Sequence, residues 1–484
     1  MQGMELMLEN EKLLNNELLH IIGEEAEKEN IDCYVVGGWV RDLLLNIPGN
    51  DIDVVCVRRP GDTRERPGLI VASRISSRLN SDKLVEYKNF GTAQVKKGDV
   101  EIEFVGARKE SYQRNSRKPI VEEGTLEDDL SRRDFTINAM AICLNPGRYG
   151  ELVDLFGGEE DLRHGIIRTP LNPDITFSDD PLRMLRAVRF ASRYNFTIEE
   201  NTQIALTSNR SRLSILSKER IAEELCKILS SVCPAGGIMA LFQTGLLELI
   251  LPEVAQLSGI ERVEGRGHKD ILEHSLKVLN NVAMKSSNLW LRWAALLHDI
   301  GKPKCKSWVP GIGWTFRDHE FVGADMVPAI FANLKMPQNE KLDYVVKMVR
   351  LHMRPINLVE DGVTDSAVRR LLFEAGDDIG DLMILSTSDI TSRNKEKVDR
   401  LRKNYELLLD RMNEIEANDK IRNFQPPLSG NEIMELLNLR PCALVGQLKS
   451  KIKDAILDGD IENSHEAAKE MLIKLAGDMG ILPL

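Results

Sequence analysis

The chain has 484 residues, of which 42% are hydrophobic and 29% are charged, so it is long enough for several domains with proper cores. Its net charge of −11 disfavours a tight grip on any nucleic acid, because such binding relies on Lys and Arg displacing counterions. The 7 cysteines form no Cys-x-x-Cys pair, which disfavours structural zinc and disulfides. Residues 1–30 are typical of an acid-rich amphipathic helix rather than a signal peptide. We therefore expect a cytoplasmic protein without a membrane partner.

The first predicted strand, 34–36, ends in two glycines. Its apolar, β-branched run is typical of a buried strand. Gly37 and Gly38 follow directly, and glycine allows a backbone to approach a ligand closely. Phosphates favour such turns, so the pattern predicts a phosphate-binding turn.

Two carboxylates alternate at the start of the second predicted strand, 52–57. The period of two puts Asp51 and Asp53 on one face, while the residues between them point into the core. The two carboxylates can share one Mg²⁺, since hard oxygen ligands suit this ion, and a second ion could activate an attacking hydroxyl. Glu103, on the predicted strand 100–105, is the favoured third catalytic acid. Alone, such a pair is usually a solvated strand edge, but the glycines upstream favour a catalytic site.

Five sequence blocks occur in a fixed order between about residues 30 and 230. They are 37–53, 132–141, 154–162, 179–190 and 219–225. In this order they resemble nucleotidyltransferases of the DNA polymerase beta type, and within them the bacterial class II tRNA CCA-adding enzymes and poly(A) polymerases. The resemblance implies an α/β nucleotidyltransferase head with a polymerase-beta-like palm.

The resemblance also implies a set of nucleotide-binding residues. The glycine turn and one arginine would hold the triphosphate, and an Arg-Asp pair the ribose and phosphates. The full set is Gly37, Gly38, Arg41, Arg133, Asp134, Asn138, Asp180, Arg183, Arg186 and Arg189. In isolation, the segment 132–134 would equally fit a solvated helix start with aspartate as its cap.

Asp180 and Arg183 are the residues expected to select the base. On one helix, positions i and i+3 share a face and can meet one base edge. Aspartate accepts from the exocyclic amino group of cytosine or adenine, whereas uracil and guanine present a carbonyl there. The pair therefore predicts CTP and ATP as substrates, although a surface ion pair is the alternative.

From Pro181 onward the apolar period predicts helices almost throughout, and the Asn-Pro-Asp sequence at 172–174 marks the joint. Neck helices are predicted at 182–194, 199–208, 218–230 and 236–247. Basic residues outnumber acidic ones between Arg183 and Arg220, and again at 58–83. These local basic surfaces fit brief, shape-based tRNA binding, with a solvated charged face as the alternative for 58–83.

A second group of polar residues resembles the HD phosphohydrolase superfamily through the segment 293–303. Four of the 8 histidines lie between residues 274 and 352, and imidazole with carboxylate suits a transition metal such as Ni, Co, Mn or Fe. The implied ligands are His274, His298, Asp299 and Asp389, with His319 and His352 permitting a second metal. The segment 352–355 could equally be a phosphate-binding loop. The alternatives are packed polar histidines and a degenerate HD fold that serves as an RNA-binding body. The resemblance implies 2′,3′-cyclic phosphates, 2′-phosphates or a nucleotide monophosphate as candidate substrates.

The sequence therefore predicts an α/β head followed by mostly α-helical neck, HD and tail domains. Their expected limits are 1–170, 171–262, 263–395 and 396–484. The leading hypothesis is magnesium-dependent, template-independent addition or repair of the tRNA 3′ CCA from CTP and ATP, with an HD phosphohydrolase in the same chain. A poly(A) polymerase and an enzyme that adds only CC or only A stay open. So does an HD hydrolase with a nucleotide-sensing head, although the intact Asp51 and Asp53 disfavour it.

Overall fold

The computed structural model describes residues 16–111, 120–263, 266–361, 364–392, 394–419, 421–422 and 426–479. The chain divides into two compact units, Met1–Ile250 and Leu251–Leu484. Among the described residues, no helix is both long enough and apolar enough to cross a membrane. The helix expected within 1–30 is observed at Glu17–Lys28, and residues 1–15 lie outside the described part.

The first unit contains a mixed sheet followed by helices, which confirms the predicted fold class for this half. Its strands are β1 (Ile31–Val36), β2 (Asp51–Arg58), β3 (Lys83–Tyr87), β4 (Thr92–Lys97), β5 (Val100–Gly106), β6 (Arg108–Ser111), β7 (Ile120–Glu123), β8 (Met140–Cys143), β9 (Leu152–Asp154), β10 (Ile166–Ile167) and β11 (Thr197–Ile198). Its helices are α1 (Glu17–Lys28), α2 (Gly38–Leu44), α3 (Pro67–Leu79), α4 (Leu126–Ser131), α5 (Gly158–His164), α6 (Pro173–Asp179), α7 (Leu182–Tyr194), α8 (Glu200–Asn209), α9 (Lys218–Leu229), α10 (Pro234–Gln243) and α11 (Leu247–Ile250).

Seven strands form the main sheet in the order β3-β4-β5-β2-β1-β8-β9. β2 and β5 pair in parallel, and the other neighbours in this sheet pair antiparallel. β1 is buried along almost its whole length, as its apolar sequence predicts, and α1 and α3 pack against the sheet. The parallel pair positions the catalytic candidates, because its register sets Asp51 beside Glu101 and Asp53 beside Glu103.

The neck helices follow the predicted periodicity closely. The predicted helix 182–194 is α7, which packs against α9 and α10. The predicted helix 236–247 is instead two helices, because α10 ends at Gln243 and α11 begins at Leu247. Gly245 lies between them with a φ of 70°, a left-handed conformation that ends a helix and that glycine adopts without strain.

The second unit is mainly helical, as predicted for the rest of the chain. Its described residues also form two small hairpins that the sequence did not predict. Its strands are β12 (Arg262–Val263), β13 (Arg266–Gly267), β14 (Ser307–Val309) and β15 (Gly313–Thr315). Its helices are α12 (Pro252–Ala255), α13 (Ile271–Ala283), α14 (Leu289–Leu297), α15 (Lys302–Cys305), α16 (His319–Asn333), α17 (Glu340–Leu351), α18 (Met353–Asp361), α19 (Asp365–Ala375), α20 (Ile379–Ser388), α21 (Lys395–Asp419), α22 (Gly430–Leu436), α23 (Ala443–Asp458) and α24 (His465–Asp478). The long helix α21 packs against α18 and α19.

Candidate functional site

Three carboxylates lie on the sheet where β2 and β5 run side by side. Asp51 and Asp53 are exposed while Ile52 between them is buried, as the period of two predicts. Desolvation raises the pKa of the Asp53 carboxyl, with Arg133 opposing this shift and Asp51 adding to it. Burial and the charge of Asp53 also raise the pKa of Glu103. The three side chains are not gathered within 4.8 Å of one another, so sharing a cation requires a change of rotamer. The raised pKa values of Asp53 and Glu103 indicate crowded negative charge that a divalent cation would neutralise.

The turn after β1 depends on a glycine. Gly37 has a φ of 72° and a ψ of −131°, a conformation that L side chains rarely adopt. A Cβ at this position would lie 2.6 Å from Nη1 of Arg133. The Gly37 N–H donates to the Met140 carbonyl at 3.2 Å, which ties the turn to β8. The structure therefore brings the predicted residues Gly37, Gly38 and Arg133 together.

Arg133 is held in place by an aspartate that the sequence analysis missed. Asp129 is fully buried, and its Oδ2 lies 3.0 Å from Nη2 of Arg133. Its Oδ1 lies 2.5 Å from Nη2 of Arg132. Burial alone would raise the pKa of Asp129, but the two guanidinium groups outweigh burial and lower the pKa. The spacing of four residues between Asp129 and Arg133 on a helical segment was the available signal.

A hydrogen-bonded chain joins the head to helix α7. Asp134 Oδ2 accepts from Nε of Arg186 at 2.7 Å, and Asp134 Oδ1 accepts from Nδ2 of Asn138 at 2.9 Å. Asn138 Oδ1 in turn accepts from Nη1 of Arg41 at 2.5 Å. Burial acts to raise the pKa of Asp134, but Arg186 and Asn138 outweigh it and the pKa is lowered. Four of the predicted nucleotide-binding residues thus form one network.

That network is buried rather than open to a ligand. Arg41 is only 4% exposed, and its guanidinium carbon lies 5.1 Å from the ring centres of both Phe190 and Tyr194. Tyr194 also donates to Asp42 at 3.0 Å, which fixes α7 against α2. Through these buried contacts Arg41 and Asp134 hold α2, α7 and the segment around Asn138 together. Their direct contacts with triphosphate and ribose stay predictions.

The residues expected to read the base are placed differently from the sequence prediction. Asp180 is not on the same helix as Arg183, because α7 begins at Leu182 and Asp180 precedes it in an extended conformation. Its Oδ1 accepts from the Leu182 N–H at 3.1 Å. Arg183 Nη2 donates to the Arg132 carbonyl at 2.7 Å, so this side chain reaches the head.

Arg189 was predicted to bind nucleotide, but its described contacts lie inside the neck. Its Nε donates to Glu224 Oε2 on α9 at 2.7 Å, and its guanidinium lies 4.1 Å from the Phe190 ring centre. The residue is 8% exposed. Arginines recur every three or four residues along α7, and this spacing does not distinguish a structural position from a ligand-facing one.

A second site lies in the other unit, where four histidines turn the same ring nitrogen toward one centre. These residues are His274, His298, His319 and His352. Their Nδ1 atoms contact, in that order, Thr391 Oγ1 at 3.0 Å and the carbonyls of Ala295 at 2.9 Å, Phe316 at 2.7 Å and Val349 at 2.7 Å. A carbonyl only accepts, so in three of the histidines Nδ1 carries the proton and Nε2 presents a lone pair.

Two carboxylates lie among these Nε2 atoms. Asp389 Oδ1 is 2.9 Å from His274 Nε2, and Asp299 Oδ2 is 3.3 Å from His298 Nε2. On its other side, Asp299 Oδ1 is 3.3 Å from His319 Nε2. The buried Nε2 of His298 has no hydrogen-bond partner, which leaves its lone pair free for a cation. Every histidine and aspartate predicted for this cluster is therefore brought together.

The electrostatics of the cluster keep its aspartates ionised. Burial opposes ionisation of Asp389, but His274 and His298 outweigh it and lower the pKa to about 2. Asp299 shows the same balance, and His298 with Lys302 holds its pKa well below the usual range. Burial and the neighbouring His298 lower the pKa of His352 to about 3, so its imidazole is neutral. The same two aspartates outweigh burial at His298 and raise its pKa. Metals bind ionised carboxylates and neutral imidazoles, so a bound cation would displace the proton that His298 otherwise favours.

A cavity of about 350 Å³ opens onto this cluster. His274, Asp299, His319 and Asp389 form its floor, and Lys302 contacts Asp299 Oδ2 at 2.6 Å. Other lining residues come from outside the histidine motif: His268, Lys269, Phe316, Thr391, Lys397 and Leu401. No local sequence pattern links these residues to the histidines, so the sequence alone does not predict them.

The fold and the two sites define a nucleotidyltransferase head joined to an HD domain. Residues 33–168 match the family model for the poly A polymerase head domain, and 271–384 match the HD domain. Residues 195–257 match a probable RNA and SrmB-binding site of polymerase A.

Two relatives match over nearly their whole length. The A-adding tRNA nucleotidyltransferase of Deinococcus radiodurans is 32% identical over 443 residues, which cover 90% of this chain and 93% of the relative. The CC-adding tRNA nucleotidyltransferase of Thermus thermophilus is 30% identical over 456 residues, covering 91% and 93%. The solved structure of a Thermotoga maritima CCA-adding enzyme with tRNA has the same fold, with a TM-score of 0.61, 24% identity and coverage of 96% and 98%. The chain belongs to the tRNA nucleotidyltransferase family.

Proposed function

We propose that the chain adds nucleotides to the 3′ end of tRNA from CTP and ATP, building or repairing the terminal CCA without a nucleic-acid template. The observation that carries this proposal is the register of β2 and β5, which sets Glu103 beside Asp53 on the face that also presents Asp51. Arg133 adjoins the same face, since its charge acts on the Asp53 carboxyl.

The transfer requires positioning and charge stabilisation more than covalent help from the protein. The turn at Gly37 lets the backbone and Arg133 approach the triphosphate, and Asp51, Asp53 and Glu103 supply oxygen ligands for Mg²⁺. Bound Mg²⁺ would neutralise phosphate charge and lower the pKa of the attacking 3′ hydroxyl. The hydroxyl gives its proton to water, its oxygen bonds to the α-phosphorus, and the bond from the α-phosphorus to the α–β bridging oxygen breaks, so that pyrophosphate leaves. Asp180 and Arg183 are proposed to select C and A.

The test is incubation of purified protein with tRNA that ends before CCA, with magnesium and each labelled triphosphate singly and together. Sequencing of the 3′ ends should show C, C and A and then no further addition. Asp53→Asn should add nothing while keeping its folded circular dichroism spectrum and its affinity for tRNA. Unlimited addition of A to any RNA, or addition by Asp53→Asn at the wild-type rate, would overturn the proposal.

Addition of the terminal A alone is a second candidate, suggested by the name of one relative. The Deinococcus relative, which matches 93% of its own length, is named A-adding. The Thermus relative of nearly equal identity is named CC-adding, so identity does not choose between the two. A tRNA that already ends in CC separates the candidates: an A-adding enzyme extends only this substrate, whereas a CCA-adding enzyme also extends tRNA that ends before CCA.

We further propose that the HD domain is a metal-dependent phosphohydrolase. The residues fit a transition metal, because three or more ligand atoms lie within 4.8 Å of one another in two overlapping sets, His274 with His298 and Asp389, and His298 with Asp299 and His352. Such a metal supplies a water of lowered pKa. The water oxygen would bond to phosphorus, the ester P–O bond would break, and the leaving alcohol would take a proton.

Metal content and hydrolysis test this second activity together. Wild-type protein loaded with nickel, cobalt, manganese or iron should retain metal after dialysis and hydrolyse 2′,3′-cyclic or 2′-phosphates. His298→Ala should lose both properties. Retention of metal with no hydrolysis of any phosphoester would show a structural metal site, and loss of neither property in His298→Ala would exclude the assigned ligands.

A further inference from the structure

An aromatic cluster stands beside the HD cavity, and we call His268, Trp308, Trp314 and Phe316 the aromatic wall. His268 packs edge to face against both Trp314 and Phe316, with ring centres 5.8 Å apart in each case. Trp308 and Trp314 pair across the β14–β15 hairpin at 5.4 Å. The wall is therefore one continuous set of rings supported by a hairpin.

One end of the aromatic wall enters the cavity. His268 and Phe316 line it together with the floor residues His274 and Asp299. The Phe316 carbonyl accepts from Nδ1 of His319 at 2.7 Å. Phe316 therefore orients His319 through its backbone and places its own ring beside the histidine cluster. Phe316 is partly exposed rather than buried, which leaves ring surface available to a ligand.

Lysines accompany the rings. Lys302 Nζ lies 5.7 Å from the Phe316 ring centre, and Lys306 Nζ lies 4.6 Å from that of Trp314. Lys269 and Lys397 also line the cavity. Lysine ammonium groups attract a phosphate, and an aromatic ring beside them stacks on a planar base. The combination of a metal-type cluster, lysines and a partly exposed ring fits a ligand that carries both groups close together.

We propose that Phe316 gives the HD cavity its specificity for nucleotides over other phosphate esters, because its ring contacts the base when the phosphate lies at the histidine cluster. The proposal rests on the HD phosphohydrolase function proposed above. The nucleotide is either free in solution or the terminal residue of an RNA chain, since both present the same chemistry. Phe316 contributes binding of the base and takes no part in bond breaking.

The test compares two phosphomonoesters that differ in the base. Adenosine 2′-phosphate carries a base, and glycerol 2-phosphate does not. Phe316→Leu keeps an apolar side chain but removes the aromatic face. This variant should raise KM and the dissociation constant for adenosine 2′-phosphate about tenfold, which corresponds to the loss of one base–aromatic stacking contact. The value of kcat should stay nearly unchanged. For glycerol 2-phosphate, KM and the dissociation constant should stay within twofold of the wild-type values.

Binding is measured by calorimetry as well as by turnover, so the proposal can be judged on metal-loaded protein that hydrolyses nothing. Phe321→Leu is the matched control, because Phe321 is 48% exposed on α16 and does not line this cavity. If Phe316→Leu weakens both ligands equally, or neither, nucleotide specificity is overturned. If wild type hydrolyses neither ester but Phe316→Leu still weakens only adenosine 2′-phosphate, the hydrolase function fails and the nucleotide site stands.

A short RNA that ends in a 2′-phosphate distinguishes the two sources. Binding at least tenfold tighter than adenosine 2′-phosphate, and weakened by Phe316→Leu, would identify an RNA end as the ligand. Equal or weaker binding would identify the free nucleotide, and in both cases Phe316 contacts the base. RNA binding that Phe316→Leu leaves unchanged, together with unchanged binding of adenosine 2′-phosphate, would overturn the proposal.

Discussion

At the residue scale, Gly37 combines two constraints that another residue would violate. Its φ is 72°, and a Cβ would lie 2.6 Å from Nη1 of Arg133. We expect Gly37→Ala to cost about 1–3 kcal/mol of stability through backbone strain. It should also lower nucleotide addition at least tenfold, because Arg133 must move away from the catalytic face. Thermal unfolding and the addition assay measure the two effects.

The control for this variant is Gly49→Ala, because a Cβ at Gly49 would meet no atom within 4 Å and its φ is not positive. That variant should leave both stability and addition near wild type. Equal activity of Gly37→Ala and wild type would contradict the role assigned to the turn.

The pair Asp134 and Arg186 makes stability depend on pH. The folded protein holds the pKa of Asp134 below its usual value, so the pair stabilises at neutral pH and this contribution is lost as pH falls through that lowered pKa. In Arg186→Met the carboxylate stays buried without its cation, at a cost of about 3 kcal/mol. Burial then raises the Asp134 pKa, so the cost should shrink as the pH is lowered toward 5.

Urea unfolding of Arg186→Met at pH 7 and pH 5 measures this dependence. Arg193→Met is the control, because Arg193 lies on the same helix α7 but is exposed. It should lose little stability at either pH. If Arg186→Met loses the same free energy of unfolding at both pH values, the packing of the Arg186 side chain stabilises the fold and its charge does not.

At the scale of elements, helix α21 contributes to a cavity whose motif lies elsewhere in the chain. The HD model matches 271–384, yet Lys397 and Leu401 on α21 line the cavity. Lys397→Gln should weaken binding of adenosine 2′-phosphate to metal-loaded protein about fivefold, since it removes one cation near the phosphate. Calorimetry at low and moderate salt measures this effect, which salt should reduce.

Lys403→Gln is the matched control for that helix, because Lys403 is exposed and does not line the cavity. Equal weakening by both variants would indicate a general surface effect. No weakening by Lys397→Gln would remove α21 from the site.

Helices and strands whose apolar residues recur with a regular period could be predicted from the sequence. Strands that form only by pairing with a neighbouring strand could not. β2 and α7 carry alternating or helical apolar patterns, and each is observed within one residue of its predicted limits. β1 begins at Ile31, three residues before its predicted start, because Asp32 interrupts the apolar run. β3 and β4 were missed, because their charged residues give no buried face until they pair beside β5. Asp180 was placed on a helix because its spacing from Arg183 fits one, while the helix begins at Leu182.

The candidate sites show the same division. The carboxylates of β2 follow from the period of two, but only the parallel pairing with β5 sets Glu103 beside Asp53. The histidine cluster was predicted from family order, whereas Thr391, which contacts His274, follows from tertiary packing alone. The arginines of α7 could not be assigned from the sequence, because only the burial of Arg189 in the folded structure distinguishes it from a residue that faces a ligand.

At the scale of the whole molecule, the two sites lie in different compact units and use different donor chemistry, so their activities should be separable by mutation. Asp53→Asn removes an oxygen ligand from the head, and Asp389→Asn removes the carboxylate 2.9 Å from His274 Nε2 without changing side-chain size. We expect Asp53→Asn to lose nucleotide addition and keep phosphoester hydrolysis. Asp389→Asn should lose hydrolysis and bound transition metal while adding nucleotides at the wild-type rate. Loss of both activities in either variant, with unchanged thermal unfolding, would show that the sites are coupled.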